Sequence, residues 1–80
     1  MNPNLIPLHD LPIGCRAKVK KLTCSGVSRR RILDLGLIFD TTIESLSKSP
    51  FGDPIAYAIR GTVIALRLEE TYKIFVESIE

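Results

Sequence analysis

A turn signal interrupts this chain about every eight to twelve residues. The breaks are Pro12 with Gly14, Cys24-Ser25-Gly26, Gly36, the run Ser49 to Pro54, and Arg60-Gly61. No element between two such breaks has room to grow long. The 80 residues suffice for one hydrophobic core and no second, so a single domain, 1–80, is expected, with 1–7, rich in Pro and Asn, as a loose lead-in. The longest stretch without Asp, Glu, Lys or Arg is Met1 to His9. A membrane-spanning helix needs about 20 mostly apolar residues, which excludes a transmembrane protein. With no secretory leader in view, the expected compartment is the cytoplasm.

Between the breaks, hydrophobic periodicity assigns the elements. Arg16-Ala17-Lys18-Val19-Lys20 alternates basic with apolar and reads as a half-buried strand, Ala17 and Val19 inward. Leu22 breaks that parity, so the strand bends, bulges or ends near Lys21. Ser28 is a good N-cap for a short helix whose apolar face is Ile32, Leu33 and Leu35, with Gly36 placed to end it in a left-handed cap. Thr42–Ser47, Ile55–Ile59, Thr62–Leu66 and Ile74–Val76 are strand-like, and Leu68 to Thr71 forms a single helical turn. The result is mainly β: about five short strands, with one short helix between the first and second. Strands this short and evenly spaced argue for a small barrel, SH3-like or OB-like, that closes on itself and so removes its edges. Its expected filling is Ala17, Val19, Leu33, Leu35, Ile43, Tyr57, Ile59, Ile64, Leu66, Ile74 and Val76.

Charge is unevenly spread. Leu11 to Leu33 holds seven basic residues and no acid, whereas Asp34 to Glu80 holds eight acids against four bases, for a net charge of +2. Such a segment suits an acidic protein, phosphate or an anionic membrane, or else the two halves interleave in the fold and neutralise each other. Arg29, Arg30 and Arg31 fall in the first turn of the helix as read, where the macrodipole prefers acids. Either they mark a functional surface or they reach acids of the second half.

Catalytic chemistry has little to work with. His9 is the single imidazole, Cys15 and Cys24 lie at neither zinc nor CxxC spacing, and no glycine-rich loop opens a helix to cradle phosphate. The basic stretch carries no aromatic on which a base could stack, which counts against nucleic acid.

Four motifs add to this reading. Leu8 to Gly14 (LHDLPIG), Arg29 to Leu37 (RRRILDLGL), Ser49 to Ile55 (SPFGDPI) and Ile59 to Arg67 (IRGTVIALR) resemble, in this order, the FeoA family, small cytosolic partners of the ferrous-iron transporter FeoB. The domain is also similar to the C-terminal SH3-like module of DtxR-type metal-dependent repressors, and the free-standing form fits better. One departure is Phe39-Asp40, where the family usually has a proline and glycine turn.

The resemblance implies an SH3-like barrel that is not an enzyme; from the scattered ligand types, no cofactor or metal is expected. It implies a role in ferrous-iron uptake through binding of a FeoB-type membrane GTPase transporter; membrane contact is expected only through that partner, and nucleic acid is not expected. Carried over residue by residue, Arg31, Leu35, Gly36 and Leu37 match the helix-and-turn motif near the partner surface. Pro50, Phe51, Gly52, Asp53 and Pro54 match a stiff loop, and Arg60 and Arg67 match the last motif. A rigid loop loses little entropy on docking, and Phe51 at its tip offers apolar contact area. The alternative is a metal-responsive module that binds a divalent transition-metal ion directly through His9, a cysteine or carboxylates.

Overall fold

A computed structural model describes residues 5–79. The strands are β1 (Leu5–Pro7), β2 (Arg16–Leu22), β3 (Thr42–Lys48), β4 (Ile55–Ile59), β5 (Thr62–Leu66) and β6 (Ile74–Ser78); the helices are α1 (Gly26–Asp34) and the single turn α2 (Leu68–Thr71). All six strands join one antiparallel sheet in the order β1-β6-β2-β3-β4-β5. The mainly β, SH3-like class expected from the sequence holds.

Three expectations need correction. Residues 1–4 of the lead-in lie outside the described residues, but Leu5–Pro7 is a strand paired to β6, so α1 falls between the second and third strands. Nothing local marks those residues as a strand; the long-range pairing with Phe75, Val76 and Glu77 makes them one. Second, α1 starts at Gly26 after an extended Ser25, not after Ser28. Arg30 and Arg31 therefore sit beyond the first turn and Arg29 at its end, where the unfavourable dipole term fades. Third, the sheet does not close. β1 and β5 end the strand order without pairing to each other, so the barrel keeps a seam.

Packing follows the strand periodicity closely. Ala17 and Val19 of β2, Ile43 of β3, Tyr57 and Ile59 of β4, Leu66 of β5, and Ile74 and Val76 of β6 are buried. The parity break near Lys21 is a bulge, where Val19 faces Val76 but Lys21 faces Phe75. Around α1 the filling differs from expectation. Ile32 and Leu37 are buried while Leu33, Leu35 and Ile64 are only half-buried.

The helix end explains the exchange. Gly36 has φ 101°; its N–H donates to the Leu33 carbonyl at 3.0 Å, and the Leu37 N–H donates to the Ile32 carbonyl at 3.2 Å. This paired reversal brings the residue after the glycine onto the helix's buried face, so Leu37 packs inward beside Ile32. Leu8 and Leu11 enter the core from a 3₁₀ turn at Leu8–Asp10. Truncating any large member of this core should cost about 2–5 kcal/mol.

The basic and acidic halves do interleave. Lys20 lies 2.7 Å from Asp40 and 3.9 Å from Glu77, and Arg31 lies 2.6 Å from Glu70.

Candidate protein-docking site

Two hollows lie beside β5, each lined by α1 on one side and by β5 or its flanks on the other. The first, of about 520 Å³, is formed by Leu33, Asp34, Leu35, Gly36 and Ile38 facing Ile59, Arg60, Thr62 and Ile64. The second, of about 420 Å³, lies between Arg31 and the group Pro54, Ala65, Arg67, Glu69 and Glu70.

At the first hollow the backbone sets the geometry. Arg60 and Gly61 both have positive φ, 51° and 81°, the conformation of a two-residue reversal whose twist suits a β-hairpin. The turn carries the Arg60 side chain back over Gly36, where a Cβ would sit 3.3 Å from Arg60 Cδ. The glycine thus serves both the left-handed turn and this close approach.

Arg31 and α2 organise the second hollow. Arg31 Nη1 donates to Glu70 Oε2, while Glu70 Oε1 accepts the Arg67 backbone N–H at 3.1 Å. Asp53 Oδ1 accepts the Leu68 N–H at 3.1 Å. The carboxylates of Glu70 and Asp53 therefore satisfy backbone donors at the start of α2 that its own turn leaves open. Asp53 is held inside the fold by these contacts.

The loop ahead of β4 is stapled by one serine. Ser49 Oγ donates to the Asp53 carbonyl at 2.8 Å and accepts the Asp53 N–H at 3.1 Å, and Gly52 N–H donates to the Ser49 carbonyl at 2.8 Å. Phe51 stands at the tip, 95% exposed. An aromatic ring held in water by a stiff turn is an uncommon use of a large apolar side chain.

Of the expected site residues, Arg31, Leu35, Gly36, Pro54, Arg60 and Arg67 line the two hollows. Pro50, Phe51 and Gly52 form the loop tip, with Pro50 exposed and Gly52 half-buried, and Asp53 is occupied by α2. Leu37 does not belong with them, since at 0% exposure it is core and can touch no partner. Sequence reasoning missed Ile38, Thr62, Ile64, Ala65 and the acids of α2. The signal available was charge: adjacent acids at Glu69-Glu70 are natural counterparts for three adjacent arginines.

The residues of the metal alternative are dispersed. His9 Nδ1 is 3.3 Å from Thr71 Oγ1 and its Nε2 is 3.6 Å from Asp10; Cys24 is buried and Cys15 half-buried. Among the described residues no three His, Cys, Asp or Glu side chains gather where a metal ion could be held, and no helix is long and apolar enough to cross a membrane.

The turn before β3, where the sequence departs from the resembled motif, adopts the glycine-like conformation nonetheless. Asp40 has φ 71°, a left-handed geometry that aspartate tolerates better than most residues. Its hydrogen bond to Lys20 holds the Asp40 carboxyl below its ordinary value, and the same bond raises the Lys20 ammonium. Lys20 also lies over the Phe39 ring at 5.1 Å, a favourable placement for a cation.

Residues 6–78 match the family model of the FeoA domain. The chain belongs to the FeoA domain family. A curated relative, the Fe(2+) transport protein A/Fe(2+) transporter FeoB fusion protein of Porphyromonas gingivalis, is 36% identical over 72 residues, which are 90% of this chain and 8% of the relative. Among solved structures, a FeoA-like protein from Clostridium acetobutylicum is 35% identical, covers 96% of this chain and 90% of its own, and superposes with a TM-score of 0.89. A manganese-dependent transcriptional repressor shares the fold alone, with 20% identity, 99% of this chain and 44% of its own covered, and a TM-score of 0.87. The FeoA family consists of small accessory domains linked to ferrous-iron transport.

Proposed function

We propose that this FeoA-family chain is a non-enzymatic accessory protein of ferrous-iron uptake that acts by binding the cytoplasmic side of a FeoB-type membrane transporter. The observation that carries the reading is the Porphyromonas gingivalis relative, in which the same domain is covalently joined to FeoB. Two partners that meet often enough to be fused are held at high effective concentration by the linker, whereas separate chains need a surface with affinity of its own.

That surface is the pair of hollows between α1 and β5 together with the Phe51 loop. It combines an exposed ring on a stapled turn with three arginines, at positions 31, 60 and 67, around half-buried Leu35 and Ile64. Aromatic and arginine side chains are the residues that most often carry binding energy at protein interfaces.

The test is association of the chain with a full-length FeoB-type transporter in nanodiscs. Phe51→Ala and Arg31→Glu should keep the native circular dichroism and thermal transition and weaken association at least tenfold. Wild-type affinity in both variants would overturn the assignment of the surface.

A further inference from the structure

We infer that β5 is a strand-addition edge, and that its occupant is an extended segment of the transporter's cytoplasmic portion, apolar at alternate positions and acidic at both ends. This rests on the proposed function above and specifies how the partner is held.

An edge strand presents a row of unused backbone donors and acceptors, and proteins ordinarily blunt it with charge, proline, a bulge or short length. β1, at one end of the sheet, is blunted: it has three residues and ends in Pro7, which has no N–H to offer. β5, at the other end, has none of these protections. Thr62-Val63-Ile64-Ala65-Leu66 contains no charged residue and no proline, and its register with β4 runs without a bulge.

The hairpin turn settles which groups face outward. A two-residue reversal makes Ile59 and Thr62 the closing hydrogen-bonded pair, so Tyr57 with Ile64 and Ile55 with Leu66 are also bonded pairs. Val63 and Ala65 then turn their N–H and C=O away from the sheet. The side chain of Val63 is 63% exposed. α1 touches β5 only sparsely, leaving the two hollows between them rather than a cover over the edge.

Charge selects the occupant. Arg60 precedes the edge, in a hollow it shares with Asp34, and Arg67 follows it, 62% exposed and 3.8 Å from Asp53, while Arg31 across the second hollow is paired with Glu70. Arg60 makes no ion pair among the described residues. A second copy pairing antiparallel about Ile64 would set Arg60 opposite Leu68 and Arg67 opposite Gly61, gathering one arginine from each chain at both ends of the pair, where like charges repel. An apolar strand ending in Asp or Glu at each end instead meets a guanidinium at both, and main-chain bonds to Val63 and Ala65 supply the pairing.

The experiment measures hydrogen exchange of the Val63 and Ala65 amides in the free chain and with full-length FeoB-type transporter in nanodiscs, together with binding by Val63→Pro and Ala65→Pro. Proline is tolerated on an edge where the lost N–H points to solvent. Expected are at least tenfold slower exchange of both amides in the complex, and at least tenfold weaker binding by variants whose circular dichroism is native. Should either variant fail to fold, the exchange measurement on the wild-type chain decides alone. Binding without amide protection overturns strand addition and leaves the proposed function standing, whereas absence of wild-type binding overturns both. Protection that grows with chain concentration and no transporter assigns the edge to a second copy and overturns the inference.

Discussion

Replacing Tyr57 with phenylalanine should stabilise the domain. Tyr57 is fully buried, and its hydroxyl, like that of Ser45, has no hydrogen-bond partner from the protein among the described residues. The two residues lie directly opposite each other on β4 and β3, so both hydroxyls face the same interior. An unsatisfied buried hydroxyl costs about 1–3 kcal/mol that the unfolded chain, hydrated by water, does not bear. Phenylalanine keeps the ring and its packing and leaves a void about the size of one oxygen, costing roughly 0.3 kcal/mol. The net expectation is a gain of about 1 kcal/mol or more, and in a domain of this size 1 kcal/mol moves Tm by about 4–8 °C.

The gain should widen at high pH. Burial raises the Tyr57 phenol well above its ordinary value, so above pH 10 the unfolded chain loses a proton that the folded chain keeps. Stability contributed by that group is intact below pH 10 and falls as pH rises beyond it. By pH 11 the loss reaches about 1.4 kcal/mol for the wild type and is absent from the variant. Urea denaturation at pH 7 and at pH 11 measures both differences. A variant less stable than wild type by about 1 kcal/mol at pH 7 would refute the reasoning, because it would mean that the folded state hydrogen-bonds the hydroxyl. Ser45→Ala in a double-mutant cycle separates the remaining arrangement, in which the two hydroxyls bond to each other.

Three further outcomes are expected. Leu37→Ala should destabilise by about 2–5 kcal/mol in denaturant titration, so any loss of transporter binding in that variant tracks its unfolded fraction and disappears when only folded protein is counted. Gly36→Ala should cost about 1–3 kcal/mol, since φ 101° strains any side chain and the added Cβ would meet Arg60 Cδ at 3.3 Å; Arg60→Ala in the same chain should recover only the contact part. Asp40→Asn keeps a residue suited to the left-handed turn but removes its charge; because the Asp40 carboxyl is lowered and the Lys20 ammonium raised, their mutual stabilisation is present between about pH 4 and pH 10, lost as acid protonates Asp40 below 3.8 and as base deprotonates Lys20 above 10.5. The variant should therefore show a flatter acid limb in thermal melts from pH 7 to pH 2.

Local chemistry made much of the fold legible. The alternation of Ala17 and Val19 with basic neighbours predicted which face of β2 is buried, and the loss of parity at Leu22 located the bulge. Arg60-Gly61 and Gly36 marked reversals because each position requires positive φ. The candidate site was less legible. Arg31, Arg60 and Arg67 came from motif resemblance, and only the fold brings Arg31 and Arg67 around one hollow. Leu37 came from the same motif resemblance, and the paired reversal at Gly36 folds it back beside Ile32 into the core. The same physics hid β1: three residues ending in proline carry no periodicity, and they become a strand through pairing with β6 far along the chain.

The sequence by itself determined the positions of the turns, the inward faces of the strands and the membership of the FeoA family, because these depend on steric limits at single residues and on patterns spanning a few neighbours. Only the tertiary structure decided that among the described residues the sheet ends at β1 and β5 without closing, that Glu70 answers Arg31 across 39 residues, and that β5 lies beside a hollow lined by Arg31, Arg67, Glu69 and Glu70. Those features arise when distant segments close into contact, and the cost of that closure is set by the whole chain and by no residue within it.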